Sequence, residues 1–422
     1  MLRKLISRMS GLTFIQGLAT LIPLVVVPHL ITHIGAAGFG LFSKALVISS
    51  LCIPFLDMGF DLHASRRMAR KEGDPGALFG LQIQQKLFTM APVFTLVFLL
   101  VRWVPDFREI SLVLVFGLIY AAVMCLLPNW YFEGQQRFRI VQLSSLVWKL
   151  LYAGLVLSFV NDTGQEARVM AFNALGGLVI MAFFVWKMRS EGVRIRWSSW
   201  SVAWRQTREN SSLFVTPLTT YLVTFLPPMI VSLLITPVQF GYFSVVDRVL
   251  QVFRTPGNLL STVVYVEYNK LRKEAVTQFQ AFYHRVNALV AIAGGGAAVL
   301  LLLFEDQLLG LLTAGQMTEE GKLIYRILIW TGTFILQRQH LQKLIISLGR
   351  EKRLATFSII ALGLMPPLFI ISHNLGAYSG LIYAIVLYEG LFVLWLMLFS
   401  LRSMKKQGLR KSFQLWASRS GR

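Results

Sequence analysis

Charge is what this sequence has least of. Charged residues make up 14% of the 422-residue chain, against about 25% in ordinary soluble domains. That scarcity excludes a string of soluble domains joined by polar linkers, and no such linker is visible. Acids are the scarcer sign, with 20 Asp and Glu against 41 Lys and Arg and a formal net charge of +21. There are two cysteines, Cys52 and Cys125, both inside apolar runs. This excludes a disulfide framework and leaves both as packing residues. The six histidines include His29 and His33 at i, i+4, but no carboxylate or thiol lies nearby in sequence to complete a metal site. Phosphate-binding glycine loops, nucleophile elbows and ATPase motifs are absent. The longest external loop, around 305–321, holds Glu305, Asp306, Glu319 and Glu320 without a matching base. The chain reads as a non-enzyme without a cofactor.

What is present is hydrophobic length. Residues AVILMFWYC make up 55% of the chain, gathered into runs of the roughly 20 residues that a bilayer-spanning helix needs. Twelve spans are expected, at about 9–34, 39–62, 80–101, 110–133, 140–160, 167–187, 211–235, 240–265, 284–304, 322–348, 354–373 and 378–400, with ends uncertain by roughly 2–4 residues. The basic start MLRKLISRMSGLTF leads into an apolar stretch too long for a signal peptide, so it is read as the first span. Basic residues crowd the termini and every second loop. The alternate loops hold only Arg102, Arg108 and Arg168. By the positive-inside rule both termini are expected in the cytoplasm. The basic excess is then a topology and lipid-headgroup signal and calls for no nucleic acid.

FGLFS at 39–43 returns as FGYFS at 240–244, 201 residues later. Each copy follows a proline-containing span, LIPLVVVPHLITHIG and TFLPPMIVSLLITP, and each leads into a basic stretch, RRMARKEGD and KLRKEAV. The repeated unit is a pair of spans of one orientation. The expected fold is an all-α polytopic membrane protein of two pseudo-repeated six-helix lobes. The N-lobe covers 1–187 and the C-lobe 211–400, with a loop at 188–210 between them and a basic tail at 401–422. In duplicated transporters the substrate site lies near the midplane between repeats. Within the loop, Trp197, Trp200 and Trp204 share one helical face among Arg194, Arg196, Arg205 and Arg208. That pattern fits an amphipathic helix at the membrane surface or an ordinary aromatic-belt loop.

Ionisable residues inside spans are expensive and face a partner or a wet cavity. In the eighth span Asp247, Gln251 and Arg254 form one stripe, with Arg248 a step round from it. Lys44, Lys149, Arg338 and Lys343 add cations in other spans, and Lys86 is placed where it can snorkel to the basic end. Asp57, Asp61, Glu133, Asp247 and Glu389 are the span acids. One reading is a cationic cavity for an anionic substrate, built on Arg248 and Arg254, because the guanidinium fork grips phosphate. The other is internal ion pairing, such as Asp247 with an Arg on a neighbouring helix. Asp247, Glu389 and Asp57 leave open a coupling proton or sodium ion as well as structural pairing.

Four stretches resemble a known family: PHLITHIGAAGFGLF (28–42), LDMGFDLHASRRMAR (56–70), NWYFEGQQRFR (129–139) and LLGLLTAGQMTEEGKLIYRIL (308–328). In order, they are similar to Wzx-type O-antigen flippases. These belong to the polysaccharide transporter family of the multidrug/oligosaccharidyl-lipid/polysaccharide (MOP) flippase superfamily. The resemblance covers essentially the whole chain. Glu133 stands where the family carries glutamine and is given no role. The resemblance implies a MATE/MOP-like fold in the bacterial inner membrane. It implies alternating access that carries undecaprenyl-pyrophosphate-linked oligosaccharide repeat units from the cytoplasmic to the periplasmic leaflet. The pyrophosphate is expected on Arg248 and Arg254. Implied partners are the lipid-linked oligosaccharide, membrane lipids, and a polysaccharide polymerase and chain-length regulator. An exporter of another lipid-linked glycan or small molecule on the same fold is the alternative within the class. Outside it the alternative is a membrane glycan polymerase or ligase.

Overall fold

The computed structural model describes residues 2–210, 214–274 and 276–406. The basic tail beyond residue 406 therefore lies outside the described residues. All regular structure among the described residues is helical. In chain order the helices are α1 (Leu2–Asp57), α2 (Phe60–Ala69), α3 (Pro75–Trp103), α4 (Pro105–Glu109), α5 (Ser111–Leu126), α6 (Asn129–Gly134), α7 (Phe138–Phe159) and α8 (Glu166–Ser190). They continue as α9 (Trp200–Asn210), α10 (Val215–Leu234), α11 (Pro237–Glu274), α12 (Val276–Leu303), α13 (Glu305–Thr313), α14 (Glu319–Leu328), α15 (Thr331–Ser347) and α16 (Glu351–Lys406).

Among the described residues seven helices are long and apolar enough to cross a membrane, and the two longest, α1 and α16, each join two helices across a kink. α16 breaks at Gly376 and Ala377, where Ala377 takes φ 49°. Across the break Phe357 stacks on Trp395 with ring centroids 3.3 Å apart. A straight helix would separate those residues by roughly 57 Å, so α16 folds back on itself. α1 breaks at Gly35, with φ 73° and ψ 170°. Its first half runs alongside α7, with Lys149 Nζ on Ala19 O at 2.9 Å and His29 Nε2 on Val160 O at 2.7 Å. Its second half runs in the same sense as α5, where Ser49 backs Gly117 and the Cys125 thiol donates to Ile53 O at 3.5 Å. α5 and α7 are successive spans joined by a short turn, so the two halves of α1 are antiparallel. Three expected spans are interrupted. The second breaks at Met58–Gly59 between α1 and α2, the fourth gives way to α6 after Pro128, and the tenth breaks at Ile329–Trp330 into α14 and α15.

The chain forms two compact units, Met1–Ser244 and Val245–Arg422. The first has a core of Cys52, Ile53, Leu56, Val97, Ala121 and Cys125. The core of the second includes Tyr268, Phe279, Tyr283, Leu341, Leu344 and Phe392.

The doubled pentapeptide has a physical use within the first unit. A Cβ on Gly40 would meet Pro237 O at 1.9 Å, and a Cβ on Gly241 would meet Ala36 O at 2.1 Å. Adding 201 to Ala36 and Gly40 gives Pro237 and Gly241, so the two contacts are the same contact made reciprocally. Helices in lipid gain from such close backbone approach because no hydrophobic drive separates helix from tail. Phe39, Phe42, Phe240 and Phe243 are buried beside the seam.

The 188–210 segment is docked rather than loose. Gly76 and Gly80 admit the carbonyls of Arg194 and Arg196 at distances that no Cβ would allow. Arg196 N–H donates to Gly76 O at 3.0 Å, and the Gln84 amide exchanges hydrogen bonds with Ser198, at 2.8 and 3.3 Å. Gly76, Gly80 and Gln84 thus make an i, i+4, i+8 stripe on α3 that holds an extended strand of backbone.

The NWYFEGQQR turn is a cap. Trp130 is fully buried and donates to Gln82 Oε1 at 2.9 Å, and Gly134 lies against Met68 and Ser65 of α2. Arg137 grips Glu191 bidentately at 2.7 and 2.8 Å, while Tyr131 OH donates to the same carboxylate at 2.8 Å. This pulls the Glu191 carboxyl down to about 2, chiefly through the Arg137 hydrogen bonds.

Two predictions follow from these contacts. Gly40→Ala and Gly241→Ala should each destabilise the protein by about 1–3 kcal/mol. Their double mutant should cost less than the sum, because both wedge one seam. Gly154→Ala, which meets nothing within 4 Å, should be neutral or stabilising; thermal melts in detergent compare the four proteins. For Glu191 the folded value is depressed, so its stabilisation is present above the ordinary carboxylate range, near 4.3, and is lost as pH falls toward about 2. Wild type should lose melting temperature more steeply than Glu191→Gln through that window, and parallel curves would rule the clasp out as a stabiliser.

Candidate functional site

Each unit has its own membrane-level charges. In the first unit Lys86 of α3 is wholly buried. Its ammonium hydrogen-bonds Asp57 and lies 3.4 Å from Asp61, with the Phe60 ring 5.6 Å from Nζ. Sequence placement suggested snorkelling; the structure corrects this to an internal ion pair. The reason is local. α1 ends at Asp57, and Met58 and Gly59 both take positive φ. That turn leaves the last carbonyls of α1 open, and α3 supplies donors: Thr89 Oγ1 to Leu56 O at 2.8 Å and Gln85 Nε2 to Asp57 O at 3.0 Å. The same docking brings Lys86 onto the two carboxylates. Asp57 is therefore committed to a lysine rather than standing alone. Lys149 donates to Ala19 O at 2.9 Å, and Lys44 is buried in the second half of α1.

The second unit carries the denser cluster. α11 presents Asp247, Arg248, Gln251 and Arg254. Arg254 Nη2 binds Asp247 Oδ1 at 2.7 Å two turns away on the same helix, not across to a neighbouring one. α15 packs closely against α11, because Gly257 leaves room for the Gln339 amide and Gly332 for the Phe253 ring. Gln339 Nε2 donates to Arg254 O at 3.2 Å, meeting the backbone near Pro256, which has no N–H of its own to give. Arg338 binds Glu389 at 2.9 Å, with both side chains nearly buried. Its guanidinium sits 6.0 Å from the Phe392 ring, and Glu389 is within electrostatic reach of Arg254.

The cluster therefore holds Asp247, Arg254, Gln339, Arg338 and Glu389 together. Two of its arginines are answered by carboxylates. Arg248 is half-buried and makes no ion pair among the described residues. Lys343 rests over the Tyr265 ring at 5.9 Å and makes no ion pair among them either. Gln339 and Tyr265 were not singled out from sequence, although a glutamine in the middle of an apolar span is itself a signal. Chemically the cluster is a cationic, hydrogen-bonding surface with no nucleophile–base pair. The His29 and His33 rings lie 4.1 Å apart, tilted by 35°, with His33 Nδ1 on His29 O at 2.8 Å. No group of three metal-capable side chains occurs among the described residues.

Comparison with known proteins bears on what such a bundle is. Residues 7–265 match the family described as polysaccharide biosynthesis protein. The chain belongs to that family. An Escherichia coli (strain K12) protein named "Putative O-antigen transporter" is 28% identical over 185 residues. That match spans 41% of this chain and 44% of the relative, less than half of its length. Among solved structures, a multidrug resistance MATE family transporter of the MOP superfamily, in an inward-facing conformation, superposes with a TM-score of 0.69. It is 13% identical over 95% of both chains. The lipid II flippase MurJ, in its inward closed conformation, also gives 0.69, at 12% identity over 93% of this chain and 87% of that one. A MOP superfamily transporter from Pyrococcus furiosus, described by the reverse polarity of its binding pocket, gives 0.60 at 13% identity over 94% and 95%. At these identities the structural likeness establishes the fold, which is the MATE/MOP arrangement of a multi-pass membrane protein.

The polysaccharide biosynthesis family member described here should depend on its buried lysine for folding. Lys86→Met leaves Asp57 and Asp61 without their shared cation and should cost about 3–5 kcal/mol, most of it from the less exposed Asp57. Adding Asp57→Asn should recover most of that loss. A melt in which the double mutant is no better than Lys86→Met would show that packing, not charge, is what Lys86 supplies.

Proposed function

We propose that this protein is a flippase for lipid-linked oligosaccharides. It carries undecaprenyl-pyrophosphate-linked O-antigen repeat units across the bacterial inner membrane by alternating access, with both termini cytoplasmic. The observation that carries the reading is Arg248, a half-buried cation in the first third of α11 that no carboxylate among the described residues neutralises. Family membership and the E. coli relative support the substrate class.

The mechanism follows from charge. A diphosphate carries negative charge that must be matched as it leaves water, and a guanidinium matches it with charge and paired donors at once. Arg248 takes the phosphate, and Lys343 adds a second cation in the same unit. Arg254 and Arg338 are held by Asp247 and Glu389, which position them and temper their pull. Tempering is useful in a carrier, because a site that binds too tightly cannot release. Lys44 and Lys149 are the membrane-level cations that the first unit would offer to the substrate. The lobes 1–187 and 211–400 are the moving bodies, linked through 188–210. Asp247, Glu389 and Asp57 are the acids through which a proton or sodium gradient would act.

Proteoliposomes holding a labelled undecaprenyl-pyrophosphate oligosaccharide test this. Wild type should move it between leaflets. Arg248→Ala should slow movement about ten-fold or more, as loss of a charge-assisted contact predicts, without lowering the melting temperature. Arg254→Ala should lower both, because it also strands Asp247. Unchanged movement in Arg248→Ala would sink the docking role. No movement by wild type would sink the substrate assignment.

A further inference from the structure

The 188–210 segment carries a feature that transport does not use. Trp197, Trp200 and Trp204 are 62, 55 and 59% exposed, although an indole is among the costliest side chains to leave in water. They do not stand free on a mobile loop. The backbone ahead of them is bolted to α3 through Gly76, Gly80 and Gln84. Trp200 and Trp204 both meet the Phe88 ring edge-on, at 5.1 and 5.7 Å. Ala203 and Thr207, three residues on from each of those two indoles and so on the same side of α9, are buried. The indoles are thus seated against Phe88 at the edge of that buried side while more than half of each stays exposed.

Arginines surround them. Arg194, Arg196, Arg205 and Arg208 are all exposed. The acids nearby are Asp74, 3.3 Å from Arg196, and Glu209, 3.8 Å from Arg205. Trp200, Trp204 and Arg208 follow at i, i+4, i+8, so one stripe runs from indole to guanidinium. Leu87, beside Phe88, is exposed as well. An apolar ledge with a cationic rim, at the basic end of a membrane bundle, has one complementary surface. The indole belongs at the boundary between headgroup and acyl chain, and the guanidinium belongs on lipid phosphate.

We infer that Trp197, Trp200 and Trp204, with Arg194, Arg196, Arg205 and Arg208, form a shelf that binds an anionic phospholipid of the phosphatidylglycerol class. The lipid's chains lie against the indoles and Phe88, and its phosphate lies on the α9 arginines. The inference is independent of the proposed substrate, since it concerns the surrounding bilayer and not the carried molecule.

The test uses the full-length protein in nanodiscs of mixed phosphatidylcholine and phosphatidylglycerol. One lipid or the other carries brominated chains at equal mole fraction. The fluorescence of these three indoles is the difference between wild type and W197F/W200F/W204F. Brominated phosphatidylglycerol should quench that difference about two-fold or more over brominated phosphatidylcholine, as basic residues at an anionic surface imply. High salt should shrink the preference. R205Q/R208Q keeps every indole and should bring the two lipids toward equal quenching. Equal quenching in wild type would overturn the selectivity. Absence of quenching by either lipid would overturn the shelf itself, because the indoles would then face water or protein.

Discussion

The contact on which the first unit turns is one backbone against another. Gly40 and Gly241 each give up a side chain so that a carbonyl of the opposite copy can approach, Pro237 O in one case and Ala36 O in the other. Lipid offers no hydrophobic reward for bringing two helices together, so contact area must come from closeness. A single glycine would allow the approach on one side only. A reciprocal contact needs glycine at both ends, and a gene that repeats itself at an offset of 201 residues supplies both. The buried phenylalanines beside each glycine then fix how deep the seam can go.

Charges obey a second constraint, and the two units meet it differently. In the first, one lysine is shared by two aspartates where α1 stops, and the helix end and the ion pair are solved by the same face of α3. In the second, the cations outnumber the acids, and the pairs are arranged so that α11 neutralises one arginine by its own aspartate and α15 borrows a glutamate from α16. Replacing buried pairs by apolar residues is often neutral or stabilising. Retaining two pairs and two further cations in one apolar bundle therefore speaks for use rather than for stability.

Much of this was legible beforehand. The spans followed from run length, and the reversals at Gly35 and Gly376 lie in the short breaks between the first and last pairs of runs. The repeat showed in FG and its flanking prolines. What sequence hid was partnership. Asp247 and Arg254 share one stripe, yet the sequence left them open between a cationic cavity and pairing with a neighbouring helix, because an i, i+7 bridge needs the long arginine reach that spacing alone does not reveal. Lys86 was placed as a snorkelling residue although Asp57 and Asp61 lay at matching depth on the span before it; antiparallel neighbours at one depth were the missed signal. The docking of residues 194–198 was invisible for another reason. It is made by backbone on glycine, and a glycine that receives a foreign strand looks like any glycine in a helix. Trp130 and Glu191 were hidden too, since their bonds join residues far apart in the chain.

The same reasoning bears on why α11 concentrates the unbalanced charge. It is a single helix of 38 residues with Pro256 inside it. A proline frees the carbonyl one turn before it and weakens the ladder there, and Gln339 of α15 reaches into this stretch to bond Arg254 O. The backbone that carries Arg254 is thus held partly by a side chain from another helix, so a shift of α15 along α11 is felt at the arginine. Arg338, one residue before Gln339, is fixed to Glu389 of α16. Any displacement of α16 that pulls Arg338 therefore pulls on the bond that Gln339 makes to α11. Glu389 is in this sense mechanical as well as electrostatic: it ties α15, and through Gln339 the backbone of α11, to α16.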